Sequence, residues 1–326
     1  MIRDQFARIH DYLRISLTDN CNLRCFYCMP EEDYHFTPLP QLMQPDEILG
    51  IAAIFVRMGV KKIRLTGGEP LVRKDAAKIM ENLATLPVTL GITTNGIRAD
   101  EFMPVFTASG IRTINISLDT LDAGKFHLLT RRNYFHRVYN NIQSLIAAGF
   151  HVKVNMVVMR GINEKEIPDF IRWTEKQPVS VRFIEFMPFS GNHWHHDKVF
   201  SMDEMLGLIQ QEFPVERLQD ALHDTDKKFQ VPGYAGNFAM ISTMTHPFCD
   251  TCNRMRLTAD GKLKNCLFSR TETDLLGPYR AGEPIDNLIL ANIMGKAKAL
   301  GGQINTDYEH LDADTLANRS MITIGG

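Results

Sequence analysis

From residue 11 to about 190 the chain switches repeatedly between two hydrophobic periods. Over 11–18, Leu13, Ile15 and Leu17 alternate with Tyr12, Arg14 and Ser16, which predicts a strand with Arg14 on its polar side. From Pro45-Asp46-Glu47 to Arg57 the apolar positions recur at helical spacing, and Gly59 closes the run. The same reading predicts strands at 61–66, 88–93, 113–118, 152–159 and 179–187, with helices at 101–109, 135–148 and 166–176. Six βα-like units in a row predict an α/β fold, an incomplete (βα)6 TIM-like barrel rather than a closed barrel of eight units. Side chains at the C-terminal ends of such strands face the site. On position alone, Thr93, Ser117, Lys153, Arg182 and Met187 are therefore candidates.

The pattern loosens elsewhere. Residues 30–44 form a polar, Pro-rich connection, and 202–212 read as a helix. The charged stretch 218–229 reads as a linker. The expected organisation is a barrel unit over 1–224 and an α+β extension over 225–326.

A net charge of -2 and a pI near 6.6 supply no broad basic field, so no nucleic-acid partner is expected. No apolar run approaches the roughly 20 residues that span a bilayer, and the first residues lack a signal-peptide core. A cytoplasmic protein without a membrane partner is the expectation. The six cysteines are more telling: they fall into two trios at ligand spacing, not into a disulfide framework.

Cys21, Cys25 and Cys28 are separated by three and then two residues. Three thiolates on so tight a turn converge on one centre, and both zinc and iron-sulfur clusters accept them. Zinc wants a fourth ligand, and the next histidine is His35. Three thiolates suffice for a four-iron cluster whose remaining iron is open. About forty residues on, a strand ends in Gly67-Gly68-Glu69-Pro70, a turn where backbone can approach a ligand. The second trio is Cys249, Cys252 and Cys266, with a hairpin expected through Asp260-Gly261. His246 stays open as a fourth ligand to zinc there. Arg254 and Arg256 lie two apart, so on a strand they share a face beside this trio, and paired guanidiniums match phosphate oxygens. His193, His195 and His196 invite a zinc reading, but nothing completes it at helical spacing, and an exposed loop is expected. Gly325 and Gly326 are slim enough to enter a crowded cleft.

The CxxxCxxC spacing resembles that of the radical S-adenosylmethionine enzymes, and the Gly-Gly-Glu-Pro turn strengthens the likeness. VKVN at 152–155, RFIEFMP at 182–188, CxxCNRMR at 249–256, Cys266 and the Gly-Gly tail narrow it. From RxSxTDxC at 14–21 onward, essentially the whole chain resembles the GTP 3',8-cyclases of molybdenum cofactor biosynthesis. The resemblance implies a radical S-adenosylmethionine barrel with a C-terminal extension, and two 4Fe-4S clusters. Cys21, Cys25 and Cys28 would hold the first cluster; Cys249, Cys252 and Cys266 would hold the second, whose open iron meets guanine. Tyr27, Gly68, Ser117 and Met187 would contact S-adenosylmethionine, with Gly67 and Glu69 shaping the same pocket. Arg14, Arg64, Thr93, Lys153, Arg254, Met255 and Arg256 would bind GTP, with Arg182 close by, and the tail Gly325-Gly326 would reach the active site. A 5'-deoxyadenosyl radical would abstract the ribose C3' hydrogen, and C3' would then bond to C8 to give (8S)-3',8-cyclo-7,8-dihydroguanosine 5'-triphosphate. An external one-electron donor is implied, and the product would pass to cyclic pyranopterin monophosphate synthase. A homodimer stays open. Two readings compete: a radical enzyme acting on a peptide, which fits the basic set at 64, 153, 254 and 256 less well, and a zinc adaptor, which needs four ligands per site.

Overall fold

The structure is a computed structural model that describes residues 1–29, 34, 36–304 and 308–325. Six strands follow one another in chain order, each parallel to the next: β1 (Tyr12–Ser16), β2 (Lys62–Thr66), β3 (Thr89–Thr94), β4 (Thr113–Ser117), β5 (His151–Val158) and β6 (Ser180–Glu185). Between them run α1 (Pro45–Arg57), α2 (Ala76–Leu83), α3 (Ala99–Ala108), α4 (Ala123–Thr130), α5 (Phe135–Ala147) and α6 (Ile167–Trp173), and α7 (Met202–Gln210) follows. The expected strands and helices are present with ends shifted by a few residues, and α2 and α4 are additional.

Local chemistry explains the helices. In α1, Pro45 presets the first turn, while Gln44 and Glu47 close a capping box. Helical spacing then turns Ile48, Ile51, Ala52 and Phe55 inward. Truncating a fully buried phenylalanine such as Phe55 costs about 3–5 kcal/mol.

The remaining strands are β7 (Glu216–Arg217), β8 (Lys227–Gln230), β9 (Asn237–Ile241), β10 (Arg254–Leu257), β11 (Lys262–Lys264) and β12 (Thr273–Asp274). They extend the same sheet at both edges: β9 joins β6 in parallel and carries β8 and β7, while β10 joins β1 in parallel and carries β11 and β12. The β10–β11 hairpin turns at 258–261, as the sequence predicts. The stretch 218–229 does not form a linker. Phe229 is buried on β8, residues before it wall a cavity, and Asp226 is buried against Arg182 instead of standing in water. Three helices complete the described chain: α8 (Leu276–Arg280), α9 (Asp286–Met294) and α10 (Met321–Ile324).

Strand alternation sorts the sheet into two faces. Leu13, Ile15, Ile63, Leu65, Ile114, Val154 and Phe183 belong to the main apolar core. Their alternates Tyr12, Arg14, Lys62, Arg64, Asn115, Lys153, Asn155 and Arg182 line the cavity on the other face. Register places Arg14 beside both Arg64 and Arg256, and Tyr12 beside both Lys62 and Arg254. Like charges directly opposite one another destabilise a sheet, so such a row marks a site. Gly91 leaves room for it: a Cβ there would stand 3.2 Å from the Arg64 guanidinium.

Candidate active site

Two cavities lie on the polar face of the sheet, and both are lined by Asn155, Ile184, Met187 and Met321. The smaller, about 200 Å3, contains Cys21, Cys25 and Cys28. The larger, about 430 Å3, contains Cys249, Cys252 and Cys266.

In the smaller cavity, Tyr27, Gly67, Gly68, Ser117 and Met187 all line the wall. The glycine turn packs against the segment leading to Cys21. A Cβ on Gly67 would stand 2.5 Å from the Thr18 carbonyl oxygen, and one on Gly68 would stand 2.4 Å from that of Asp19. Glu69 sits behind this wall. Its carboxylate accepts from Leu71 N at 2.9 Å, Thr94 Oγ1 at 2.8 Å and Asn95 N at 2.6 Å. Burial pushes it up to about 7 despite these bonds. Asn95, held in this way, points its Nδ2 to Cys21 Sγ at 3.8 Å. The Tyr27 hydroxyl donates to Asp119 Oδ2 at 2.6 Å, and burial pushes Asp119 up to about 6. Burial also raises all three thiols, Cys21 to about 11. Asn95 and Asp119 had no motif to announce them; only their places after β3 and after β4 give them away.

Thr93 lines this smaller cavity and not the larger one. Met255 is fully buried in the apolar core, because it is the inward alternate between Arg254 and Arg256.

The larger cavity gathers Arg14, Arg64, Lys153, Arg182, Arg254 and Arg256, and adds Lys62, which the sequence reading did not single out. Burial first, and neighbouring cations with it, depress Arg14, Lys62, Lys153, Arg182 and Arg256. Lys153 is lowered to about 8, by burial first and Arg182 next, and Arg256 to about 10, by burial and Arg254. Asp226 holds Arg182 at 2.8 Å, and Thr225 accepts from Arg254 at 2.7 Å. Both come from the stretch expected to be a linker. Beside the second trio, Leu300 N donates to Cys249 Sγ at 3.4 Å and Lys296 Nζ to Cys252 Sγ at 3.6 Å. Burial pushes the Cys252 thiol up, but Lys296 and Arg254 outweigh it and leave it below its usual value. Gly325 lies where its carbonyl accepts from Arg256, and Gly326 is outside the described residues.

Among the described residues, no three Cys, His, Asp or Glu side chains form a set that could hold a metal ion. In a four-iron cube each thiolate binds a different iron, so its cysteines stand further apart than those around one ion. His246 bonds Thr245 Oγ1 at 3.2 Å and does not line either cavity. His193 and His195 are exposed, and His195 bonds Asp197 at 2.8 Å. Among the described residues no helix is long and apolar enough to cross a membrane.

Residues 15–174 match the Radical SAM superfamily and residues 179–300 match Molybdenum Cofactor Synthesis C. The crystal structure of Streptococcus suis SuiB shares the fold, with a TM-score of 0.62 at 14% identity over 88% of this chain and 67% of that one. Fold and thiol site thus define the class, a radical S-adenosylmethionine protein. The chain is 46% identical over 333 residues to the mitochondrial GTP 3',8-cyclase of Arabidopsis thaliana, covering 100% of this chain and 84% of that protein. It is also 46% identical over 327 residues to Molybdenum cofactor biosynthesis protein 1 of Bos taurus, covering 99% of this chain and 51% of that protein. The chain therefore spans about half the length of the vertebrate relatives it matches. Within the superfamily, the chain belongs to the GTP 3',8-cyclase family.

Proposed function

We propose that the chain converts GTP to (8S)-3',8-cyclo-7,8-dihydroguanosine 5'-triphosphate, the opening step of molybdenum cofactor biosynthesis. One observation carries this reading. A thiol-lined cavity and a cation-lined cavity adjoin at Asn155, Ile184, Met187 and Met321, and a second thiol trio sits in the cationic one. Moving a hydrogen from a ribose carbon requires nucleotide and radical source in contact, with water kept out.

The donor sets fit the groups. Cys21, Cys25 and Cys28 would hold a 4Fe-4S cluster, and coordination removes the protons that burial otherwise retains. The glycine turn would let backbone approach the methionine end of S-adenosylmethionine, and Tyr27, Ser117 and Met187, which line the same cavity, would contact it. When bound and reduced through that cluster, S-adenosylmethionine supplies the radical that takes the ribose C3' hydrogen. Cys249, Cys252 and Cys266 would hold a second cluster with an open iron toward guanine, backed by Lys296 and the Leu300 N–H. The crowded cations bind the triphosphate, which relieves their repulsion. In this division residues 1–224 carry the first thiol trio and 225–326 the second, while the cations of the larger cavity come from both parts. An external carrier supplies electrons, and the product goes to cyclic pyranopterin monophosphate synthase.

The test is anaerobic incubation of iron-reconstituted protein with GTP, S-adenosylmethionine and a reductant, followed by mass spectrometry. GTP deuterated at C3' should pass its label to 5'-deoxyadenosine, and the protein should carry about eight irons per chain. Two zincs and no iron, or label remaining on the nucleotide, would sink the reading.

A further inference from the structure

Among the cations of the larger cavity sits one phenol with no part in the reaction above. Register sets Tyr12 on β1 directly between Lys62 on β2 and Arg254 on β10. Lys62 Nζ lies 4.8 Å from the centroid of its ring and the Arg254 guanidinium carbon 5.8 Å. The hydroxyl accepts from Arg64 Nε at 2.7 Å. One buried side chain thus engages three cations that would otherwise repel one another.

We propose that Tyr12 is a positioning residue of the nucleotide site: it holds Lys62, Arg64 and Arg254 aimed at the triphosphate, and its hydroxyl takes up a proton when a polyphosphate binds. The inference rests on the cavity being a nucleoside triphosphate site. An aromatic face attracts a desolvated cation, and the phenol oxygen fixes Arg64, so the protonated side chain presets a charge array without neutralising it.

The proton follows from the surrounding charges. Arg14 faces the cavity from β1, Lys62 and Arg64 from β2, Lys153 from β5, Arg182 from β6, and Arg254 and Arg256 from β10. The described carboxylates in the wall are Asp224 and Asp226, which pair with Lys228 and Arg182. Burial pushes the Tyr12 phenol up, but Arg64, Arg14, Arg254 and Lys62 outweigh it and bring it down to about 7. A bound triphosphate cancels that field and returns the phenol toward its ordinary value near 10. The free site is therefore increasingly phenolate above pH 7, and the bound site is phenol. Binding takes up a proton, and affinity falls by up to about tenfold per pH unit above 7. Lys153, also lowered, takes up a proton over a neighbouring range, so the readout must see the phenol alone.

Tyrosinate absorbance, taken as the difference between iron-loaded parent protein and Tyr12→Phe, is followed from about pH 6.5 to about pH 9. The titration is run free, with GTP and with inorganic tripolyphosphate. One phenol should ionise near pH 7 in the free parent, be absent in Tyr12→Phe, and move up with either polyphosphate. Tyr12→Leu, which loses the ring as well, should weaken polyphosphate binding by about tenfold and leave guanosine binding unchanged. A phenol that stays protonated through about pH 9 without ligand, or that ignores both polyphosphates, overturns the proposal, as does a Tyr12→Leu protein that binds them like the parent. A shift with tripolyphosphate but none with GTP supports the role of Tyr12 and removes the nucleotide reading.

Discussion

Arg256 donates to the carbonyl of Gly325 while lying across the sheet from Arg14, so the last described residue of the chain rests on the cationic row itself. Gly325 adopts φ +84°, and a Cβ there would stand 2.7 Å from Thr66 Oγ1 and 2.9 Å from Ser16 Cβ. No larger residue fits without displacing β1 or β2. Removing Gly325 and Gly326 should leave iron content unchanged and sharply reduce GTP cyclisation, measured as product per chain. Full turnover by the shortened protein would show the contact to be incidental.

Arg256 should also grip phosphate. A charge-assisted contact is worth about 1.5 to 3 kcal/mol, so Arg256→Ala should weaken GTP binding roughly tenfold to a hundredfold. Calorimetry with guanosine supplies the control, because a ligand without phosphates should barely respond. Equal losses for both ligands would mean that the arginine reads the base or only supports the tail.

The two thiol trios should separate on substitution. Replacing Cys21, Cys25 or Cys28 with Ala should abolish S-adenosylmethionine cleavage. Replacing Cys249, Cys252 or Cys266 should mainly remove GTP binding and turnover, with binding of S-adenosylmethionine retained. Equilibrium dialysis with each ligand distinguishes the sets, and equal loss of S-adenosylmethionine binding from both would contradict the division.

The polar face of the barrel was legible because alternation is a local signal: Arg14, Arg64, Lys153 and Arg182 declare themselves as polar alternates of apolar strands. Non-local pairing is not written locally. Nothing near Asn237 or Arg254 says that one strand will join β6 and the other β1. The charges of 218–229 mimic a solvated linker because Asp226 finds its partner, Arg182, more than forty residues earlier. Met255 shows the opposite limit: a motif names three consecutive residues, but a strand can aim only two of them at the ligand.

His10 supplies a pH signature of stability. It donates from Nε2 toward Asp4 Oδ2 at 3.1 Å, and its Nδ1 finds no partner among the described residues. Burial first, and Lys296 next, lower it from 6.5 to about 4, so the ring is neutral in the folded protein. The contribution of a depressed histidine is present above pH 6.5 and is lost as pH falls toward 4. The span corresponds to roughly 3 kcal/mol. Urea unfolding of His10→Gln at several pH values should show a weaker acid dependence over this window than the parent; parallel curves would mean that His10 protonates without penalty.

The placement of β1 between β2 and β10 also bears on how the chain is made. One neighbour arrives about fifty residues after β1, and the other about 240 residues after it. At the ~5–20 residues per second of synthesis, one edge of the strand that leads to Cys21 stays open for roughly 12 to 50 seconds. During that interval the unpaired strand edge can recruit other nascent chains. Pairing with Arg254–Leu257 closes that edge, so the length of chain between the two strands sets how long it stays open.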